Sequence, residues 1–82
     1  MTSYTGKIIS PEYATVASKT GISFTSGKTY TMQIQGSAWL KEDDAEFLFS
    51  NREFQYKASS SDLYIKTTEM GCLMTFLEEK SQ

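Results

Sequence analysis

From about residue 20 onward, short runs of alternating apolar and polar residues are separated by clusters of Gly, Ser and Asp. Tyr30, Met32 and Ile34 alternate with Thr29, Thr31, Gln33 and Gln35; Phe47 with Phe49 and Phe54 with Tyr56 repeat the rhythm. Side chains in a pleated strand point to opposite faces in turn, so this period sets one apolar and one polar face. The pattern predicts a brief strand at Ile22 to Phe24, the best-formed strand at Thr29 to Gln35, and further strands at Ala38 to Leu40, Glu46 to Ser50, Glu53 to Ala58, Leu63 to Thr67 and Cys72 to Glu78. No segment sustains a helical period for three turns.

The breaks between these runs carry turn chemistry. Ser26-Gly27-Lys28 is the clearest hairpin signal, because glycine takes positive φ at little steric cost. Lys19-Thr20-Gly21, Gly36-Ser37, Lys41 to Asp44, Asn51-Arg52, Ser59 to Asp62 and Glu69-Met70-Gly71 read as the other turns. Residues 1–12 are weakly patterned, and Pro11 interrupts pairing, so they read as an N-terminal arm or short edge strand. Tyr13 to Ala17 suits a strand or a helical turn. Residues 79–82 read as a frayed tail.

Turn signals every 8–12 residues, roughly, favour a single all-β domain over residues 1–82. The expected form is a small antiparallel sandwich or flattened barrel of about seven or eight short strands. Its expected core is Ile22, Phe24, Tyr30, Met32, Ile34, Phe47, Phe49, Leu63, Ile65, Met74 and Phe76. The last strand is apolar on both faces, with Cys72, Met74 and Phe76 on one side and Leu73 and Leu77 on the other. Such a strand is covered on both sides, either inside the domain, the stronger reading, or by a neighbouring subunit.

Composition narrows the chemistry. The chain has 82 residues, 39% of them hydrophobic and 13% aromatic, enough for a globular core. Cys72 is the only cysteine and there is no histidine, so an intrachain disulfide and a Cys/His zinc site are both excluded. A small β domain without those staples often gains stability by self-association. The net charge is −2, and the lysines and Arg52 are scattered with acids beside several of them, so nucleic acid is not an expected partner. The N-terminus lacks a secretory signal, and no stretch approaches the roughly 20 apolar residues that cross a bilayer. The expected location is a virion or a host cytoplasm, not a membrane.

Candidate chemistry is sparse. Glu42, Asp43, Asp44 and Glu46 offer carboxylates, but a calcium loop needs about six oxygens on a sharply turning backbone, and a solvated hairpin turn explains them better. Cys72 and Ser59, Ser60 and Ser61 have no evident base to activate them. No enzyme activity, cofactor or metal is expected. Trp39 and Tyr64 are the aromatics expected partly outside, where rings stack on sugars or anchor interfaces. Leu73 and Leu77 on the last strand and Ile8 and Ile9 in the arm complete the candidate interface.

The run Gly27 to Ser37, and Asp62 to Lys66 followed by Gly71 and an apolar strand ending at Glu78, resemble stretches of small accessory virion proteins of tailed bacteriophages. The resemblance covers residues 22–78. It implies a compact β-sandwich that decorates a capsid, joins head to tail or builds a fibre as a symmetric oligomer. The leading expectation is therefore a non-enzymatic phage structural protein that self-associates and attaches to a larger particle. The alternatives are a small phage or bacterial protein that binds and modulates a host protein and, more weakly, a carbohydrate-binding module using Trp39 and Tyr64.

Overall fold

Fourteen residues, Thr29–Glu42, form one continuous strand, β3, that passes straight through the expected break at Gly36-Ser37. A computed structural model describes residues 2–60 and 62–79. In chain order the elements are β1 (Ser3–Ile8), β2 (Ala14–Thr15), a five-residue helix α1 (Val16–Thr20), β3, β4 (Ala45–Lys57) and β5 (Tyr64–Glu78). The fold is all-β, one antiparallel five-stranded sheet in the order β1-β5-β3-β4, with β2 beside the first part of β5.

Among the described residues the expected seven or eight short strands are five, three of them long. The reason lies in three residues with left-handed backbone: Gly36 at φ 94°, Asn51 at φ 48° and Gly71 at φ 78°. Each was expected to end a strand, and each instead sits where the register shifts within one. The β3–β4 register slips between Ile34 and Ser37, and the β3–β5 register between Gly36 and Ala38. Bulges bend a strand and raise its twist without ending it. Because Gly36 lies opposite Cys72 and donates its N–H to the Asn51 side chain at 2.9 Å, the irregularities form one crease across neighbouring strands.

Gly71 is fixed by sterics as well as φ. A Cβ there would lie 2.6 Å from the Ile8 carbonyl oxygen, so only glycine lets β1 and β5 approach this closely. Beyond Ile8 the pairing continues through Ser10, whose carbonyl accepts from the Thr67 N–H at 2.6 Å while its own N–H donates to Thr67 Oγ1 at 2.8 Å. Residues 1–12 thus include an edge strand of the sheet.

The segment from Ser10 to Lys28 roofs the inner face. Thr15 caps α1 by accepting from the Ser18 N–H at 3.1 Å, and left-handed Gly21 closes it by donating to the Ala17 carbonyl at 2.7 Å. Tyr13 to Ala17 is therefore a two-residue strand running into a helical turn. Ile22 to Phe24 forms no strand, and Ser26-Gly27 is a turn leading into β3 from a loop. That loop is held by Gly27 N–H to the Ala58 carbonyl, 2.8 Å, and by the Phe24 ring, which packs on Tyr30, Tyr56 and Phe76 at 4.8, 5.4 and 5.0 Å between centroids. Tyr30 is fully buried, and its hydroxyl accepts from the Thr25 N–H at 2.8 Å.

Eight of the eleven expected core residues are buried: Phe24, Tyr30, Met32, Ile34, Leu63, Ile65, Met74 and Phe76. Ile22 and Phe49 are half-buried against them. Phe47 is a correction, being 54% exposed. It sits on the inner face of β4, but the roof does not reach that far. Lys41 to Asp44 forms the expected acidic turn, with Asp43-Asp44 as the loop between paired Glu42 and Ala45. In the expected tail, Glu79 is tied down by its N–H to the Thr29 carbonyl at 2.7 Å, whereas residues 80–82 lie outside the described residues, as does Ser61.

Candidate functional site

The expected interface residues fall in three places. Ile8 is buried in the core at 2% exposure, with its carbonyl against Gly71, so its side chain is not offered to a partner; Ile9 next to it is exposed. Leu73 and Leu77 lie on the outer face of β5 at 38% and 44% exposure, among Thr31, Gln35, Ser3 and Lys7 on the flanking strands. The final strand is thus central in the sheet with its inner side chains in the core. Cover on both faces within the domain, the stronger expectation, is corrected: no segment among the described residues packs over Leu73 and Leu77, which are exposed on its outer face.

Trp39 and Tyr64 do come together on the outer face, past Gly36 in β3 and before Gly71 in β5. Trp39 pairs with Lys66, and Lys41 with Tyr64. Tyr13 joins them from the roof segment, donating its hydroxyl to Glu46 at 2.5 Å. Partial burial, with the Glu46 carboxylate beside it, pushes the Tyr13 hydroxyl up to about 12. Lys66 Nζ lies 5.7 Å from the Tyr13 ring and 5.6 Å from the Trp39 ring, and Lys41 Nζ 5.5 Å from Tyr13. Ammonium groups over ring faces are cation–π contacts. They tie the Tyr13 and Trp39 rings to the lysines of β3 and β5 across the outer face.

The acidic turn is engaged in a similar way. Glu42 accepts the Tyr56 hydroxyl, and burial together with this carboxylate pushes the Tyr56 pKa well above its usual value. Among the described residues, no cluster of carboxylate and thiol groups is placed to hold a metal ion. Cys72 is buried on the inner face, and desolvation raises its thiol pKa, which disfavours the nucleophilic thiolate.

The surface that sequence reasoning missed is β4 itself. Among the described residues, β4 is paired only with β3, so its far edge carries free backbone donors and acceptors along thirteen residues. Phe47 and Leu48 are 54% and 57% exposed on its two faces. On the inner face an apolar groove of about 190 Å³ runs beside Leu40, Phe47, Phe49, Phe54, Tyr56 and Leu63. Phe49 and Phe54 stack across the crease at 4.2 Å with an 8° interplanar angle, and Arg52 lies 5.5 Å over Phe49. The signal was present in the residues. The aromatic set on β4, Phe47, Phe49, Phe54 and Tyr56, is odd-numbered before Asn51 and even-numbered after it, which marks a bulge that keeps one face.

No protein-family profile matches the chain, and no curated protein matches it. Among solved structures, a de novo designed double-stranded β-helix determined in solution by NMR is similar, with a TM-score of 0.63 over 96% of this chain and 100% of the design. The two share 12% identity, so the likeness is one of fold. No helix among the described residues is long and apolar enough to cross a membrane.

Proposed function

We propose that this chain is a non-enzymatic structural protein of a tailed-bacteriophage particle, a capsid decoration, head–tail or fibre component that works by self-association and protein contact. The observation that carries the reading is the long open β4 edge, with Phe47 and Leu48 exposed beside an apolar groove. Monomeric proteins keep such edges short or covered, and a thirteen-residue edge with Phe47 and Leu48 exposed beside it suits a protein that is covered in an assembly. The resemblance of residues 22–78 to accessory virion proteins supplies the kind of assembly. In this reading the crease folds the sheet over its roof into a flattened barrel of the double-stranded β-helix type, a form the likeness to the designed protein supports.

The test is the protein composition of purified particles from cells expressing the phage genes around this one. Mass spectrometry should find the chain in intact virions at a stoichiometry that matches a symmetric component. Its absence from intact particles, with recovery instead on a host protein, would replace this reading with that of a host modulator.

A further inference from the structure

We infer that β4 pairs with β4 of a second copy, antiparallel about a two-fold axis at the Asn51–Arg52 crease, in the register that sets Glu46 opposite Lys57. The inference rests on the self-association reading above and names its partner and geometry.

Three properties of β4 select this register. The first is the direction of its backbone groups. Glu42 and Ala45 close a two-residue loop as a hydrogen-bonded pair, and alternation then turns the inner-face residues Phe47 and Phe49 toward β3. Glu46 and Leu48 before the crease, and Gln55 and Lys57 after it, turn their donors and acceptors to the open edge.

The second is facing. Antiparallel pairing about a two-fold axis opposes only residues of the same face. Because Asn51 shifts the inner face from odd to even positions, one register opposes like faces throughout and also superimposes the two creases. It sets Phe49 against Phe54 and Phe47 against Tyr56 of the second copy on the inner face. On the outer face it sets Leu48 against Gln55, Ser50 against Glu53 and Glu46 against Lys57. The two apolar grooves then run into one another.

The third is charge. Glu46 and Lys57 stand at opposite ends of β4, and the two-fold axis brings each opposite the other twice. Opposite charges directly across a ladder stabilise pairing, and like charges disfavour it. The same residues in a chain that stays single would merely guard the edge, a reading that makes a different prediction for charge reversal.

The full chain should sediment as a concentration-dependent dimer. Glu46→Lys and Lys57→Glu should each raise the dimer dissociation constant by roughly ten- to thirtyfold, since each turns two attractive pairs repulsive. An equimolar mixture of the two variants should recover wild-type affinity as a heterodimer, because both charge pairs are then restored, and E46K/K57E on one chain should recover it as a homodimer. Lys57→Glu avoids the Tyr13 contact of Glu46 and so separates the charge effect from the local fold, which circular dichroism checks. A mixture of Leu48→Cys and Gln55→Cys chains should form a mixed disulfide in preference to either self-disulfide. A wild-type chain that oligomerises with no response to reversal, or no rescue on mixing, overturns this register and leaves self-association standing. A wild-type chain that is monomeric at every concentration overturns both.

Discussion

β5 and β4 are of similar length, each crosses the crease at a left-handed residue, and each turns apolar side chains to the inner face on both sides of it. In β5 those side chains, Ile65, Cys72, Met74 and Phe76, are all buried, as is the hydrogen-bonded Thr67 between them. In β4 no residue is fully buried: Phe49, Phe54 and Tyr56 are half-covered and Phe47 is open. The difference lies in what stands over the strands. β5 lies between β1 and β3 under the Ser10 to Lys28 roof, whereas β4 is at the edge, and the roof reaches its inner face through Phe24 against Tyr56. Alternation tells which face a side chain takes; whether that face is covered depends on a segment far away in the chain.

The sharpest test of this contrast is truncation in the buried strand. Phe76→Ala should cost about 3–5 kcal/mol in urea unfolding, since it empties a site packed by Tyr4, Phe24 and Tyr30. Next come two of the three crease residues. Gly71→Ala adds a Cβ against the Ile8 carbonyl at positive φ and should cost about 1–3 kcal/mol. Asn51→Gly keeps the backbone conformation and loses only an exposed hydrogen bond to Gly36, so about 1 kcal/mol or less is expected. A Gly71→Ala cost no larger than that of Asn51→Gly would mean that the close approach of the Ile8 carbonyl to Gly71 does not hold in solution.

A titration addresses the contact that ties β4 to Tyr13 on the outer face. The Tyr13 hydroxyl is raised from 10.0 to about 12 in the folded chain, so the protonated form is the one that folding favours. Its contribution is whole below the unfolded value near 10 and is lost as pH rises toward 12. Chemical denaturation between those values should show stability falling with pH, and Tyr13→Phe should flatten part of that fall. A slope unchanged by Tyr13→Phe would show that the contact with Glu46 does not hold in solution. The smallest effect is expected at the open end of β4, where Phe47→Ala in dilute protein should shift stability by about 0.5 kcal/mol or less. A loss approaching that of Phe76→Ala would remove the contrast between the strands.

Much of the fold was legible because burial and strand period agree over most of β3 and β5. Tyr30, Met32 and Ile34 are buried as their alternation predicts, and Trp39 and Tyr64 share the outer face. What misled was the meaning of Gly36, Asn51 and Gly71. A left-handed residue serves a turn and a bulge equally well, and the choice between them depends on whether the neighbouring strand bends at the same level. The parity switch from Leu63 and Ile65 to Cys72, Met74 and Phe76 is the local trace of a bulge. The same switch in β4 hid the open edge, because two short strands joined by a turn would leave no long edge to notice. Tyr13 and Glu46 were illegible as a pair, since the contact joins residues 33 apart through a roof that the alternation does not describe.

The register of β1 has a consequence for how the chain is made. Ser3 lies opposite Leu77, and Glu78 donates its N–H to the Thr2 carbonyl at 2.8 Å, so the first strand finds its partner only in the last. During synthesis the β3–β4 hairpin can close early, while β1 must wait, unpaired, until β5 has left the ribosome. The nascent protein therefore completes its sheet in one late step. Loss of the final strand would release the first strand with it, leaving a single hairpin that has neither a central strand nor a place to dock its roof.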